Sequence, residues 1–179
     1  MELPAWAPWA PPTDFVTRGF AIMDANRRAE GAALEFCGFG PNECDHRVIS
    51  TGPYWRLREY TQANATDLPP VLFVPAPIKR PYIWDVAPSV SAVRYCLDRR
   101  FRVYLIEWTP PTDDADSQAA GLRDYASDAI AACVSRVAEE APGQAPFLFG
   151  HSLGGTLAAI FCALEPNVRG LVLLGAPLC

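Results

Sequence analysis

The chain has 179 residues, enough for one domain of ordinary size, with half of them hydrophobic and a fifth charged. A net charge of −5 without a basic cluster gives no electrostatic reason to expect nucleic acid as a partner. No apolar stretch approaches the ~18 residues of a transmembrane segment. The start, Met1-Glu2-Leu3-Pro4, lacks the basic region and apolar core of a signal peptide, so the expected location is the cytoplasm.

Residues 1–12 are rich in Pro, Ala and Trp and are not helical throughout. Either Trp6 and Trp9 pin them to the domain, or they form an arm with a partner elsewhere. Asp14 to about Phe36 reads as a helix capped by Thr13 or Asp14, with Phe15, Ile22, Ala29 and Phe36 at helical spacing. Residues 1–46 are thus an N-terminal arm and helix, and residues 47–179 a core. Cys37 to Asp45 is a loop. Arg47–Ser50 and Tyr54–Tyr60 read as a hairpin joined by Thr51-Gly52-Pro53. Val71-Leu72-Phe73-Val74 is wholly apolar, as a strand covered on both faces must be. It runs into Pro75-Ala76-Pro77-Ile78, where only Ala76 and Ile78 retain a backbone donor. Ser89 to Arg99 reads as a helix with Val90, Val93 and Leu97 on one face, and Arg102 to Trp108 as the next buried strand. From Leu122 to Val137 apolar residues recur at helical spacing until Pro142-Gly143. Gly170 to Leu174 reads as a last buried strand. From Val71 onward strands and helices alternate, which predicts an α/β fold: a mostly parallel sheet with helices on both faces and an antiparallel N-terminal edge.

Six cysteines include no Cys-x-x-Cys pair. Cys37, Cys44 and His46 lack a second pair to complete a metal site, so no metal is expected. Cys96, Cys133 and Cys162 fall on helices as small hydrophobes.

The informative stretch is Phe147-Leu148-Phe149-Gly150-His151-Ser152-Leu153-Gly154-Gly155. It places Gly-x-Ser-x-Gly between a strand and a helix, the context in which a serine is held on a tight, strained turn. Gly150 and Gly154 leave that turn nearly bare. The expected nucleophile is Ser152, with the Leu153 amide and one from Ile78 or Ala76 holding the oxyanion. No cofactor is implied, because a side chain attacks and amides hold the charge.

These residues resemble an α/β-hydrolase. More narrowly, the chain is similar to the polyhydroxyalkanoate synthases from about Gly52 to Leu178. The similarity rests on Thr51-Gly52-Pro53-Tyr54-Trp55-Arg56-Leu57-Arg58-Glu59-Tyr60, on Val74-Pro75-Ala76-Pro77-Ile78-Lys79-Arg80-Pro81-Tyr82-Ile83-Trp84-Asp85, on Val103 to Trp108 and on Gly170 to Leu178. The resemblance implies acyl transfer from hydroxyacyl-CoA thioesters. Two residues depart from the pattern. The synthases carry cysteine where Ser152 stands, and commonly Asn where Lys79 stands. A thiolate suits repeated thioester exchange, whereas serine activated by histidine is usual where the acyl group passes to water. The substrate is therefore expected to be an acyl ester or acyl-CoA thioester.

In this superfamily the triad follows the order Ser, Asp or Glu, then His. No residue after Ser152 is Asp or His, Glu165 lies on the nucleophile's own helix or just past it, and the only histidines are His46 and His151. His151 is expected to pack beside the nucleophile, and His46 to lie at the surface. The expectation is a portion of a longer hydrolase with its Asp and His beyond residue 179. An uncovered final strand would invite an oligomer or pairing with another chain. Two other readings stay open: a generic esterase, lipase or thioesterase, and a non-catalytic hydrolase-like subunit.

Overall fold

A computed structural model describes residues 13–60, 67–110, 119–165 and 167–178. The expectations for Trp6, Trp9, the rest of residues 1–12, residues 61–66 and residues 111–118 lie outside that set. The chain divides into two units, Met1–Pro41 and Asn42–Cys179.

In the first unit, α1 (Thr13–Phe36) is a 24-residue helix. Phe15, Phe20, Ile22, Met23 and Phe36 on it are all exposed. Phe15, Ile22 and Phe36 share one side of the helix by their spacing, but nothing within this unit covers that side among the described residues. Its end is closed by Gly38 at φ 80°, with Phe39 N–H donating to the Leu34 carbonyl at 2.9 Å.

The second unit is built on one sheet of six strands among the described residues: β1 (Arg47–Gly52), β2 (Trp55–Glu59), β3 (Pro70–Val74), β6 (Arg102–Trp108), β7 (Phe147–His151) and β8 (Gly170–Leu174). Their spatial order is β1-β2-β6-β3-β7-β8. β1 and β2 pair antiparallel, β2 joins β6 antiparallel, and β6, β3, β7 and β8 run parallel. The short pair β4 (Asp85–Ala87) and β5 (Val90–Ser91) stands apart. The helices are α2 (Ala92–Asp98), α3 (Ile130–Glu140) and α4 (Leu153–Leu164).

Both faces of the central strands are apolar, and the alternation assigns each side chain to one core. Leu72, Val74, Tyr104, Ile106 and Leu148 pack with Ile130, Val137, Leu157 and Phe161 of α3 and α4. Val71, Phe73, Val103 and Leu105 pack on the other face with Trp84, Val93 and Cys96. A sheet sandwiched in this way must read as continuous hydrophobic runs.

Three expectations change. The helix after β5 begins at Ala92, not Ser89, and Val90 is an exposed strand residue. The Ser91 hydroxyl accepts from the Arg94 amide and caps α2, which sets its start. The segment before α3 turns as a π-helix from Asp124 to Ala129, and that widened turn leaves Leu122 exposed. β8 is half-exposed rather than buried, since one of its edges has no strand beside it among the described residues.

Two buried carboxylates tie the layers together. Glu59 receives Arg47 at 2.5 Å, Arg102 at 3.1 Å and the Tyr104 hydroxyl at 3.3 Å. Arg102 also donates to the Glu140 carbonyl, joining β6 to the end of α3. Asp85 is fully buried and accepts from the Ser91 hydroxyl at 2.6 Å, the Cys44 thiol at 3.6 Å and the Cys44 amide. Burial, with that carboxylate beside it, pushes the Cys44 thiol up to about 11.

Candidate active site

The chain leaves β3 toward β6 on one side, then crosses to β7 on the other. The loops after β3 and β7 therefore diverge at the carboxyl ends of the strands, where open α/β sheets form their crevice. Ser152 sits at that point with φ 53° and ψ −132°, one of two non-glycine residues at positive φ among those described. Such a conformation costs roughly 1–3 kcal/mol and persists only when its surroundings enforce it. Here they do. The Ser152 amide donates to the Leu174 carbonyl of β8 at 2.9 Å, and its own carbonyl accepts from Gly155 at 2.9 Å.

The glycines around it are required by close approach. A Cβ on Gly150 would lie 2.4 Å from Gly155 Cα. One on Gly154 would lie 2.2 Å from the Val74 carbonyl oxygen and 2.4 Å from Pro75. One on Gly155 would lie 2.5 Å from Ala176 Cβ. So α4 starts directly against the end of β3, which brings the two loops together.

Leu153 is the first residue of α4, and its amide belongs to the opening turn, where no intrahelical acceptor exists. Across from it, Lys79 N–H closes onto the Ala76 carbonyl at 2.8 Å. In that turn Pro77 and Ile78 take the two central positions, and the amide of the second central residue points out of the turn. Ile78 itself is exposed, whereas Ala76 is fully buried. The Pro75 carbonyl accepts from Trp108 Nε1 at 2.7 Å, which fixes the root of the loop.

His151 turns its ring edge-on to Trp84 at 5.8 Å, and its Nδ1 is buried with no partner among the described residues. His46 is exposed, its ring tilted against that of Tyr60 with centroids 5.3 Å apart. β1 lies four strands from β7, roughly 19 Å across the sheet at ~4.8 Å per strand. Neither histidine faces the Ser152 hydroxyl through a hydrogen bond among the described residues. Cys37 and Cys44 fall in different units, and no group of three or more metal-ligating side chains occurs among the described residues.

Sequence reasoning did not foresee the Leu174 carbonyl that anchors Ser152, or Asp85 as a buried anchor for the loop after β3. A lone carboxylate after Tyr-Ile-Trp was the available signal, and its partners Cys44 and Ser91 come from distant positions.

The sheet order, the strained turn and its bare neighbours define an α/β-hydrolase, and the alpha/beta hydrolase fold family matches residues 69–178, over half of the chain. The chain belongs to that family. It is 35% identical over 172 residues to the poly(3-hydroxyalkanoate) polymerase subunit PhaC of Haloferax mediterranei, covering 95% of this chain and 33% of that protein. With the subunit of the same name from Thiocystis violacea it shares 34% over 142 residues, 78% of this chain and 39% of the other. The chain thus spans about a third of the length of these curated relatives. A carboxylesterase structure from Nitrososphaera gargenis superposes with a TM-score of 0.52 at 17% identity, over 74% of this chain and 46% of that one. That likeness concerns the fold alone. No helix among the described residues is long and apolar enough to cross a membrane.

Proposed function

We propose that Ser152 is the nucleophile of an acyl hydrolase or acyltransferase acting on esters or thioesters, similar to the polyhydroxyalkanoate synthases. The observation that carries this reading is the positive-φ serine held between Gly150, Gly154 and Gly155 beside the loop after β3. Ser152 Oγ attacks the acyl carbonyl carbon and its proton passes to a histidine imidazole. The Leu153 and Ile78 amides hold the developing oxyanion. The bond to the leaving sulfur or oxygen then breaks, and the imidazolium returns the proton to it. Water or a hydroxyl acceptor attacks the acyl-serine in a second passage of the same kind.

His46 lies across the sheet and His151 faces Trp84. Neither is assigned as that base, because neither hydrogen-bonds the Ser152 hydroxyl among the described residues. Serine in place of the synthases' cysteine favours delivery to water or to a single acceptor over repeated chain growth.

The test is fluorophosphonate labelling of the full natural polypeptide carrying these residues, followed by peptide mapping. The expected product is a single adduct on Ser152, lost in Ser152→Ala. A folded protein that is not labelled, or is labelled elsewhere, refutes the assignment and favours a non-catalytic hydrolase-like subunit.

A further inference from the structure

The loop after β3 begins Pro75-Ala76-Pro77-Ile78, and its two prolines have no amide hydrogen. The amides left are those of Ala76 and Ile78, and the Ile78 amide has to stay free for the oxyanion. Carbonyls must therefore carry much of the anchoring. The Ala76 carbonyl is used inside the turn, accepting from the Lys79 amide at 2.8 Å. The Pro75 carbonyl ties the loop to β6 by accepting from Trp108 Nε1 at 2.7 Å. An indole nitrogen can only donate, so this bond has one polarity. Trp108, the last residue of β6, is buried yet borders two hollows. One, of about 530 Å³, is also lined by Arg56 and Arg80, and the other, of about 290 Å³, by Ile78 and Tyr125. The ring of Tyr125 backs the Trp108 ring with centroids 5.2 Å apart, and packs in turn on Tyr54 at 4.7 Å. Both spacings are those of favourable aromatic pairs. Tyr125 stands in the π-helical turn Asp124–Ala129, a rare single-turn feature that occurs frequently at functional positions.

We propose that Tyr125 and Trp108 are positioning residues for the oxyanion loop. Tyr125, set by the π-turn, holds the Trp108 indole. The indole holds the Pro75 carbonyl, and with it the Ile78 amide three residues on. The inference rests on the reading of Ser152 given above and adds two residues outside both the elbow and the oxyanion turn. An oxyanion donor acts only from about 2.7–3.1 Å of the oxygen that gains charge. An ångström of drift costs about a hundredfold in rate. That oxygen is charged in the transition state and not in the bound substrate, so loosening the loop lowers kcat and leaves KM alone.

The experiment is steady-state hydrolysis of p-nitrophenyl butyrate by the full natural polypeptide and its variants, with fluorophosphonate labelling of Ser152 alongside. Circular dichroism confirms that each variant is folded. Trp108→Phe keeps a ring and removes the donor, and should lower kcat about tenfold, the order of one net hydrogen bond, with KM unchanged. Tyr125→Ala should do the same, whereas Tyr125→Phe, which retains the ring, should match wild type. Tyr125→Leu, which fills more of the space, replaces Tyr125→Ala if that variant does not fold. The double variant Trp108→Phe with Tyr125→Ala should lose no more than Trp108→Phe alone, because both changes act through one bond. Tyr95→Ala, an exposed aromatic on α2, should leave kcat unchanged. The Nε1–H resonance of Trp108, assigned by its disappearance in Trp108→Phe, should shift in Tyr125→Ala and stay in place in Tyr125→Phe. A raised KM with kcat intact, equal losses in Tyr125→Phe and Tyr125→Ala, multiplied losses in the double variant, an equal loss in Tyr95→Ala, or an indole resonance indifferent to Tyr125→Ala each overturns the proposal. A wild type that is active and labelled at Ser152 but whose variants match it overturns this proposal alone. A folded wild type that is neither active nor labelled overturns the nucleophile reading, and this one with it.

Discussion

Replacing Gly154 with alanine puts one methyl group where the start of α4 meets the end of β3. Its carbon would stand 2.2 Å from the Val74 carbonyl oxygen and 2.4 Å from the carbonyl carbon and oxygen of Pro75. Ordinary contact begins near 3.4 Å, so helix and strand must part by about 1 Å. The atoms struck are backbone, and Val74 is fully buried in the centre of the sheet, so no side chain can swing aside. The cost should sit at the top of the overpacking range, about 3 kcal/mol. For a chain of this size that is a fall in Tm of roughly 6–12 °C. The same displacement carries the Ala76–Lys79 turn away from the Leu153 amide, and an ångström of misplacement costs about a hundredfold in rate. Thermal unfolding and the rate of fluorophosphonate labelling, each against wild type, measure the two effects. Gly19→Ala is the control: nothing lies within 4 Å of its Cβ, and in mid-helix it should stabilise α1 by about 0.5–1 kcal/mol. A Gly154→Ala protein within about 0.5 kcal/mol of wild type would refute the close approach and the reasoning built on it.

Other expectations follow from the same geometry. Ser152→Gly should abolish labelling yet raise stability by about 1 kcal/mol in urea unfolding, because it removes the positive-φ strain less glycine's larger unfolded-state entropy; Ser152→Ala should lose labelling without the gain. Arg102→Met strips Glu59 of a buried partner and should cost about 3–5 kcal/mol by the same measurement, while the double change with Glu59→Leu should recover most of it. Burial raises the Glu107 carboxyl, but the hydrogen bond and charge of Arg58 lower it more, leaving it below its ordinary 4.5. A folded-state value below the unfolded one adds stability that is full above about 4.5 and is lost as the pH falls through the folded value. The wild-type urea midpoint should therefore drop faster than that of Glu107→Gln between about pH 5 and pH 3. Parallel curves would disprove the pairing.

Much of the fold was open to reading from residue order, for identifiable reasons. A parallel strand covered on both faces has to be continuously apolar, so Val71 to Val74 and Val103 to Ile106 announced themselves. Alternation of such runs with helical periods limits the topology to a few choices. The elbow was legible because its geometry forbids side chains at Gly150 and Gly154, which leaves a pattern in adjacent positions.

What escaped the sequence was everything that depends on distant partners. Phe15, Ile22 and Phe36 have helical spacing yet lie exposed, since periodicity reports a shared direction and not what covers it. Val90 reads as the first turn of α2, but the Ser91 hydroxyl caps that helix one residue later and Val90 pairs with Ala87. The π-turn from Asp124 to Ala129 rotates Leu122 out of its stripe, and no local residue marks it. At the site, residue order singled out Ser152 and its glycines, because a strained turn is a local matter. Tertiary structure alone decided that the Leu174 carbonyl pins it, that His151 faces Trp84, and that Arg56 shares a groove with Arg80. Local conformation is written in neighbouring residues, whereas a site is assembled by pairing strands far apart in sequence, and which surfaces that pairing brings together is set by the packing of the whole sheet.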